Sequence, residues 1–298
     1  MELYSSCVNC VMNNLLHIAG KTLKSEEEKV AFMHEIVSRM GAEIKTDSCA
    51  PLLTGIGWSV LLERTGLKDP FRDLKHQFNS LMLSIEERTE QMIEESPDSL
   101  EASLVAAGSA NLIDFGAFQD VDFNKVVSIL HNYIDTLSLD INTYHNFLDL
   151  IDRHRSLLIM GDNCGEIVLD KILVRQLQRA FPGIEITYAS RGAPILNDAT
   201  IEDAHQVGLG KLCSVVSSGS TIPGFVFENS RGDFRKIYEN SPVILSKGVG
   251  NFESAQFHDK RNFFLFIVKC DTFSEKLNVP LNTLIFQQGR KSLLGKNR

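Results

Sequence analysis

The sequence predicts an α/β protein in which a helical N-terminal part precedes a Rossmann-like, mainly parallel α/β/α sheet. Up to about residue 150, apolar residues recur at three- and four-residue spacing, which is typical of amphipathic helices. Beyond that point, short apolar runs alternate with a helix-like segment and end in polar loops that contain glycine. We therefore predict a helical domain over residues 1–150 and a Rossmann-like, metal- and phosphate-binding domain over residues 151–298.

The helical part contains several separate apolar stripes. One lies between Val30 and Met40, a second between Phe71 and Ile85, and a third covers Phe123 to Thr136. Asp69-Pro70 suits the capped first turn of the second helix, and Ser96-Pro97-Asp98 interrupts the chain before the next helix. We interpret these stripes as core-facing sides of helices.

The second half contains five short apolar runs that predict strands of a buried sheet. Between the first two runs, a helix-like segment passes through Leu173 and Leu177 and ends at Pro182-Gly183. The five runs are Ser156 to Gly161, Ile184 to Ala189, Leu212 to Val216, Pro242 to Leu245 and Phe263 to Val268.

Composition narrows the possible partners. The formal net charge is −8 and the isoelectric point is near 5.5, with no cluster of basic and aromatic residues, so we expect no nucleic acid partner. No signal peptide is evident and no apolar run approaches the roughly 20 residues that span a bilayer. With only 6 cysteines, a disulfide scaffold is not expected. We predict a cytoplasmic protein with reduced thiols and no membrane partner, and no feature indicates its oligomeric state.

Polar loops follow the first four predicted strands, and in open α/β sheets ligands bind at these carboxyl ends. Two carboxylates and an amide on adjacent strand ends, Asp162, Asn163 and Asp198, would supply hard oxygen ligands that suit Mg²⁺ or Mn²⁺. The alternative for Asp162-Asn163 alone is a helix cap, which is a common use of both residue types.

Two further loops suggest anion binding. The run Ser218-Gly219-Ser220 is interpreted as a phosphate- or sugar-binding turn, with an ordinary loop as the alternative. Lys247 stands at a strand end beside Gly248 and Gly250, so its ammonium and the backbone could approach one anion together. We predict that Lys247 holds the transferred phosphoryl group.

Motifs along nearly the whole chain resemble the damage-control phosphatases, a family first described as a domain of unknown function. In its microbial members a Cys-x-x-Cys pair comes first, followed by a D-P-x-x-x-x-K-x-x-x-N stretch and then by four short segments. The matching positions here are Cys7 and Cys10; Asp69, Pro70, Lys75 and Asn79; Asn111 to Asp114; Asp162 to Glu166; Lys247 to Glu253; and Lys269-Cys270. The sequence departs from the family pattern at Ser109-Ala110, Cys164, Thr221-Ile222 and Ile267, which leaves the substrate open.

The resemblance implies hydrolysis of sugar phosphates or related, often damaged, phosphometabolites with one divalent ion of Mn, Mg, Co or Ni. It implies that Asp162, Asn163 and Asp198 hold the metal and that Asp162, Glu166 and Lys247 are catalytic, with Glu166 positioning water. The implied substrate contacts are Asn111, Ser218, Gly219, Ser220, Lys247, Asn251, Glu253 and Lys269.

Several alternatives stay open beside this interpretation. Direct attack by activated water is favoured over a covalent aspartyl-phosphate, because Cys164 stands where a D-x-D motif would have its second acid. The rival functions are an S-adenosylmethionine-dependent carboxyl methyltransferase and a non-catalytic sugar-phosphate-binding protein. Cys7 and Cys10 could reach one metal together, with Cys49 or a histidine as further ligands, but we expect them to pack as small apolar groups.

Overall fold

The computed structural model describes residues 3–45, 48–110, 123–227, 230, 233–255 and 259–289. Eight helices precede the first strand in these residues. Their bounds are α1 Ser5–Thr22, α2 Glu26–Glu43, α3 Ala50–Thr65, α4 Arg72–Ser84, α5 Glu86–Glu94, α6 Ser99–Ser109, α7 Phe123–Thr136 and α8 Ile141–His154. None of the helices in the described ranges is both long enough and apolar enough to cross a bilayer.

A 6-stranded sheet forms the second half, in the order β3-β2-β1-β4-β5-β6. All neighbouring strands are parallel except β5 and β6. The strands are β1 Ser156–Met160, β2 Glu185–Ser190, β3 Ser214–Ser217, β4 Ile244–Lys247, β5 Asn262–Ile267 and β6 Leu284–Gln288. The helices after β1 are α9 Glu166–Ala180, α10 Ile201–Gln206, α11 Asp233–Asn240, α12 Gly248–Ser254 and α13 Asp271–Leu277. This order places a topological switch point between β1 and β4.

The sheet is buried on both faces because alternate residues of each strand pack on opposite sides. On β1, Leu157 and Ile159 join one core cluster, whereas Leu158 and Met160 join another. The first cluster also contains Val105 of α6, so helices from the N-terminal half cover that face of the sheet. The predicted α/β fold class is confirmed.

Helices α1 to α3 pack around a separate cluster that includes Leu15, Phe32 and Trp58. The indole Nε1 of Trp58 donates to the backbone oxygen of Pro194 at 2.9 Å, which ties this cluster to the loop after β2. The domain boundary at residue 150 stays a prediction, and the largest core cluster runs across it from α4 to β6.

The structure adds to or corrects the predicted elements in four places. The stripe from Phe71 to Ile85 corresponds to α4, which ends at Ser84, and a separate helix that was not predicted, α5, begins at Glu86. Pro70 lies in the turn before α4 and not within its first turn. The stretch after Lys247 forms helix α12 where a loop was expected. Strand β6 was not predicted, since it depends on antiparallel pairing with β5.

Candidate functional site

The candidate site lies at the switch point, where β1 and β4 end side by side. Asp162 follows β1, and Gly248 follows β4 with a φ of +79°. A Cβ on Gly248 would lie 2.0 Å from Oδ2 of Asp162, so only glycine allows this approach. The two strand ends are therefore packed directly against each other at the Asp162 carboxylate.

The loop after β2 runs antiparallel to the loop after β1 and carries Asp198 to the same place. Asn163 and Asp198 form an isolated backbone bridge, and the N–H of Ala199 donates to the backbone oxygen of Asp162 at 2.8 Å. The side-chain Nδ2 of Asn163 donates to Asp162 Oδ2 at 3.0 Å and to Glu166 Oε1 at 2.8 Å. These contacts assemble the three predicted metal ligands together with Glu166.

Arg191 links the carboxylates of Asp162 and Asp198, although it was not predicted from the sequence as a site residue. Its Nε donates to Asp198 Oδ2 at 2.5 Å, its Nη2 to Asp162 Oδ1 at 3.3 Å, and its Nη1 to Asn251 Oδ1 at 3.0 Å. The guanidinium is fully buried, so both carboxylates share one buried cation. Its position directly after β2, at a ligand-binding strand end, was the available signal.

A second buried ion pair lies beside the first. The Nζ of Lys247 contacts Asp170 Oδ1 and lies 3.8 Å from Glu166 Oε2. The hydroxyl of Tyr188 donates to Asp170 Oδ2 at 2.9 Å. Asp170 was also missed, because it lies one turn inside α9 and the helix pattern alone does not show which face meets Lys247.

With all of its members ionised, the acidic group would carry more negative than positive charge. Its buried members are the carboxylates of Asp162, Glu166, Asp170 and Asp198 and the cations of Arg191 and Lys247. Burial raises the pKa of Asp162, and burial together with the Asp162 charge raises the pKa of Glu166 to about 8. Burial raises the pKa of Asp198 to about 7 against the opposing charge of Arg191. A further cation would relieve this repulsion.

Comparison with known proteins decides the family. Residues 3–285 match the model of the damage-control phosphatase ARMT1-like domain. The chain belongs to this family. A crystal structure of a DUF89 family protein from Pyrococcus horikoshii has a TM-score of 0.88 and 25% identity, covering 97% of this chain and 100% of that chain.

Three relatives of this ARMT1-like chain match over nearly its full length. A protein of Methanocaldococcus jannaschii described as uncharacterized is 26% identical, over 94% of this chain and 93% of its own. A damage-control phosphatase of Pyrococcus horikoshii is 25% identical, over 98% and 100%. Another from Archaeoglobus fulgidus is 23% identical, over 96% and 98%. The resemblance inferred from the motifs is confirmed at the family level, and the Cys-x-x-Cys subfamily stays a prediction.

The donor chemistry at this ARMT1-like site fits a hard divalent ion. Asp162 and Asp198 offer carboxylate oxygens and Asn163 an amide oxygen, in a group whose ionised form has more carboxylates than cations. Within the described ranges, no group of three or more His, Cys, Asp or Glu side chains is spaced to hold a metal by itself. The candidate set therefore combines two carboxylates with the amide of Asn163.

The predicted substrate turn after β3 is bonded mainly to itself. The N–H of Gly219 donates to Ser217 Oγ at 3.1 Å, that of Ser220 to Ser218 Oγ at 3.3 Å, and Ser220 Oγ to the Gly224 oxygen at 2.6 Å. Asn251 is buried and its amide cross-links the loops, since Nδ2 donates to the Gly161 oxygen at 3.0 Å. The contact of these residues with substrate stays a prediction.

The remaining predicted residues differ in placement. Lys269 is exposed. Burial raises the pKa of Asp162 and the positive charge of Lys269 lowers it, so Lys269 lies within electrostatic range of the site. Burial raises the pKa of Glu253 to about 7; the pKa of Cys10 is raised by burial and also by the charges of Cys7 and Glu253. Glu253 thus lies near the exposed Cys10 and the half-buried Cys7, whose role stays a prediction. Asn111 lies outside the described residues.

Proposed function

We propose that this chain is a phosphatase that hydrolyses small phosphorylated metabolites and requires one divalent ion, Mn, Mg, Co or Ni. The observation that carries the proposal is the pair of buried carboxylates of Asp162 and Asp198, with the half-buried amide of Asn163 beside them, at the switch point between β1 and β4. Family membership and the names of the Pyrococcus and Archaeoglobus relatives support a phosphatase-type activity.

In this proposal Asp162, Asn163 and Asp198 hold the ion, which when bound would supply positive charge to the phosphoryl oxygens and to an attacking water. Arg191 orients the two carboxylates, because its guanidinium bonds both of them. Removal of water from the buried side of the site strengthens each of these electrostatic contacts.

Glu166 positions the attacking water and accepts its proton at a carboxylate oxygen. Its Oε1 accepts a hydrogen bond from Asn163, which fixes the carboxylate beside the metal ligands. Direct attack by water, and not a covalent aspartyl-phosphate at Asp162, stays our preferred route. It requires no acid at the position of Cys164.

Two lysines supply positive charge at different places in this proposal. Lys269 is exposed at the end of β5 and within electrostatic range of Asp162, so it is placed to meet the phosphate of an incoming substrate. Lys247 is 1% exposed and faces Asp170 and Glu166. Its role as the phosphoryl ligand stays a prediction, whereas its neutralising effect on these two carboxylates follows from its contacts.

Substrate binding is assigned to the turn after β3 and to residues of α12. The turn of Ser218, Gly219 and Ser220, together with Asn251 and Glu253, forms the proposed wall for a sugar-like leaving group. The methyltransferase alternative is not favoured, since the two relatives with an activity in their names are phosphatases.

The test is phosphate release from a panel of sugar phosphates and para-nitrophenyl phosphate, with the chelator-treated chain supplied with each metal separately. We expect release with at least one of the four metals and no release without metal. Binding of S-adenosylmethionine, measured by calorimetry, tests the rival methyltransferase function. Tight binding of S-adenosylmethionine without phosphate release would replace the proposed function by the methyltransferase, and tight sugar-phosphate binding without release would indicate a sensor.

A further inference from the structure

The D-P-x-x-x-x-K-x-x-x-N stretch has no part in the site described above. Lys75 and Asn79 lie one turn apart on α4, and they are 2% and 0% exposed. Burying a lysine and an asparagine on an amphipathic helix is unfavourable unless both find polar partners. Their partners therefore indicate why these residue types occupy a core-facing position.

Asn79 bonds the turn that carries two site residues. Its Oδ1 accepts a hydrogen bond from the backbone N–H of Gly165 at 2.7 Å. Gly165 has a φ of +81° and immediately precedes α9, between Asn163 and Glu166. Glycine has no Cβ and can adopt many backbone conformations. The hydrogen bond from Gly165 to Asn79 therefore helps to fix the conformation of this turn.

The Nδ2 of the Asn79 amide points to helix α10, which follows the loop after β2. Its Nδ2 donates to Gln206 Oε1 at 2.8 Å and to Asp203 Oδ1 at 3.3 Å. The other carboxylate oxygen of Asp203 accepts from both the N–H and the hydroxyl of Thr200, at 2.8 and 2.7 Å. Thr200 follows Asp198 by two residues. One amide on α4 thus bonds the Gly165 turn directly and is connected through Asp203 of α10 to the loop that carries Asp198.

Lys75 completes the network with charge. Its Nζ lies 2.6 Å from Asp69 Oδ2 and 3.5 Å from Asp203 Oδ2. Asp69 precedes the helix and also accepts from the N–H of Phe71 at 3.1 Å, which anchors it at the start of α4. The two carboxylates share one buried ammonium, which holds Asp203 in place as an acceptor.

We propose that Asn79, supported by Lys75 and Asp203, is a positioning residue that holds the Gly165 turn and thereby orients Asn163 and Glu166 in the site. This rests on the proposed function. No hydrogen bond joins Asn79 to Asp162, Asn163, Glu166 or Asp198 in the described structure, so it acts through the backbone of the turn. Loss of a residue that orients metal ligands typically lowers metal affinity or activity by about 10- to 100-fold.

The experiment compares Asn79→Ala with Asp98→Ala as a matched control. Asp98 also accepts backbone hydrogen bonds and a buried hydroxyl, from Leu100, Glu101 and Tyr144, but it caps α6 and bonds no residue of the site. Three quantities are measured in each variant: hydrogen exchange at the Gly165 amide without metal, the Kd for Mn²⁺, and kcat and KM at saturating Mn²⁺ with para-nitrophenyl phosphate.

For Asn79→Ala we expect faster Gly165 exchange, a Kd for Mn²⁺ raised about 10-fold or more, and a kcat lowered about 10- to 100-fold with little change in KM. Asp98→Ala should leave all of these at the wild-type values. Unchanged Gly165 exchange in Asn79→Ala would overturn the proposal. Faster exchange with unchanged Kd and kcat would overturn it too, since the bond would then not position the site.

Gln206→Ala is the second variant if Asn79→Ala does not fold. Gln206 is only half-buried, and its substitution removes one hydrogen-bond partner of Asn79. We expect faster Gly165 exchange and a smaller rise in the Kd for Mn²⁺, about 3-fold or more, and wild-type values for both would overturn the proposal. Exchange without metal does not depend on catalysis. A wild-type chain without metal-dependent turnover would therefore refute the proposed function and leave the exchange result to decide the positioning role.

Discussion

Replacing Gly248 by alanine should separate backbone strain from damage to the site. A residue other than glycine in the left-handed region costs about 1 to 2 kcal/mol. Gly248 carries a second penalty, because its new Cβ would lie 2.0 Å from Asp162 Oδ2, whereas Cβ contacts below 3.0 Å essentially do not occur. The carboxylate must then move by about 1 Å, the difference between these two distances, inside a buried group.

Gly183 supplies the matched control. It also has a positive φ, +83°, but no atom lies within 4 Å of where its Cβ would stand. Gly183→Ala should lose about 1 to 2 kcal/mol of stability and keep full activity. Gly248→Ala should lose about 1 to 3 kcal/mol more from overpacking. Its kcat/KM should fall about 100-fold, the scale typical of a misplacement of about 1 Å at a reacting centre.

The assay is urea unfolding of both variants together with metal-dependent hydrolysis of para-nitrophenyl phosphate. Equal kcat/KM in Gly248→Ala and Gly183→Ala would refute the reasoning, because it would show that the Asp162 carboxylate can move without consequence. Equal stability of the two variants would show that the close approach at Gly248 is not tight.

Three further predictions concern buried charges. Lys247→Ala should lower kcat/KM about 100-fold or more. The double variant Lys247→Met with Asp170→Leu should recover stability but not activity. Recovery of both would show that Lys247 serves only to pair with Asp170. Arg191→Met should lower the free energy of unfolding in metal-free urea by about 3 to 5 kcal/mol. Mn²⁺ should stabilise this variant more than the wild type. Equal stabilisation of the two chains would argue against a metal beside Arg191. Because burial raises the pKa of Glu253 from 4.5 to about 7, its proton is held more tightly in the folded chain, and stability falls as the pH rises between these values. Glu253→Gln should remove on the order of 3 kcal/mol of that fall, and parallel pH curves of urea unfolding for the two chains would contradict it.

Local periodicity was enough to predict most of the fold. Helix α7 has the bounds predicted from its apolar stripe, and Pro182-Gly183 ends α9 as expected. What local patterns could not show depends on long-range pairing. Strand β6 exists through its antiparallel register with β5.

The candidate site was predictable where residues follow strand ends and not where they lie inside helices. Asp162 and Asp198 follow β1 and β2, and the structure brings them to one guanidinium. Asp170 and Asn79 are helix-interior residues, and only the packing of α9 and α4 shows that they face the site. The inward direction of Lys247 depends on Asp170 in the same way, so the sequence predicted its position but not its partner.

The most direct test of the central claim is phosphate release from para-nitrophenyl phosphate as Mn²⁺ is added back to the chelator-treated chain. Wild type and Asp149→Ala, which changes an exposed carboxylate on α8, should both show release that rises with Mn²⁺ and saturates. Asp162→Ala, Asn163→Ala and Asp198→Ala should remain folded by circular dichroism and show no release at any Mn²⁺ concentration. Release by the wild type without metal, or full release by any two of the three site variants, would contradict the account.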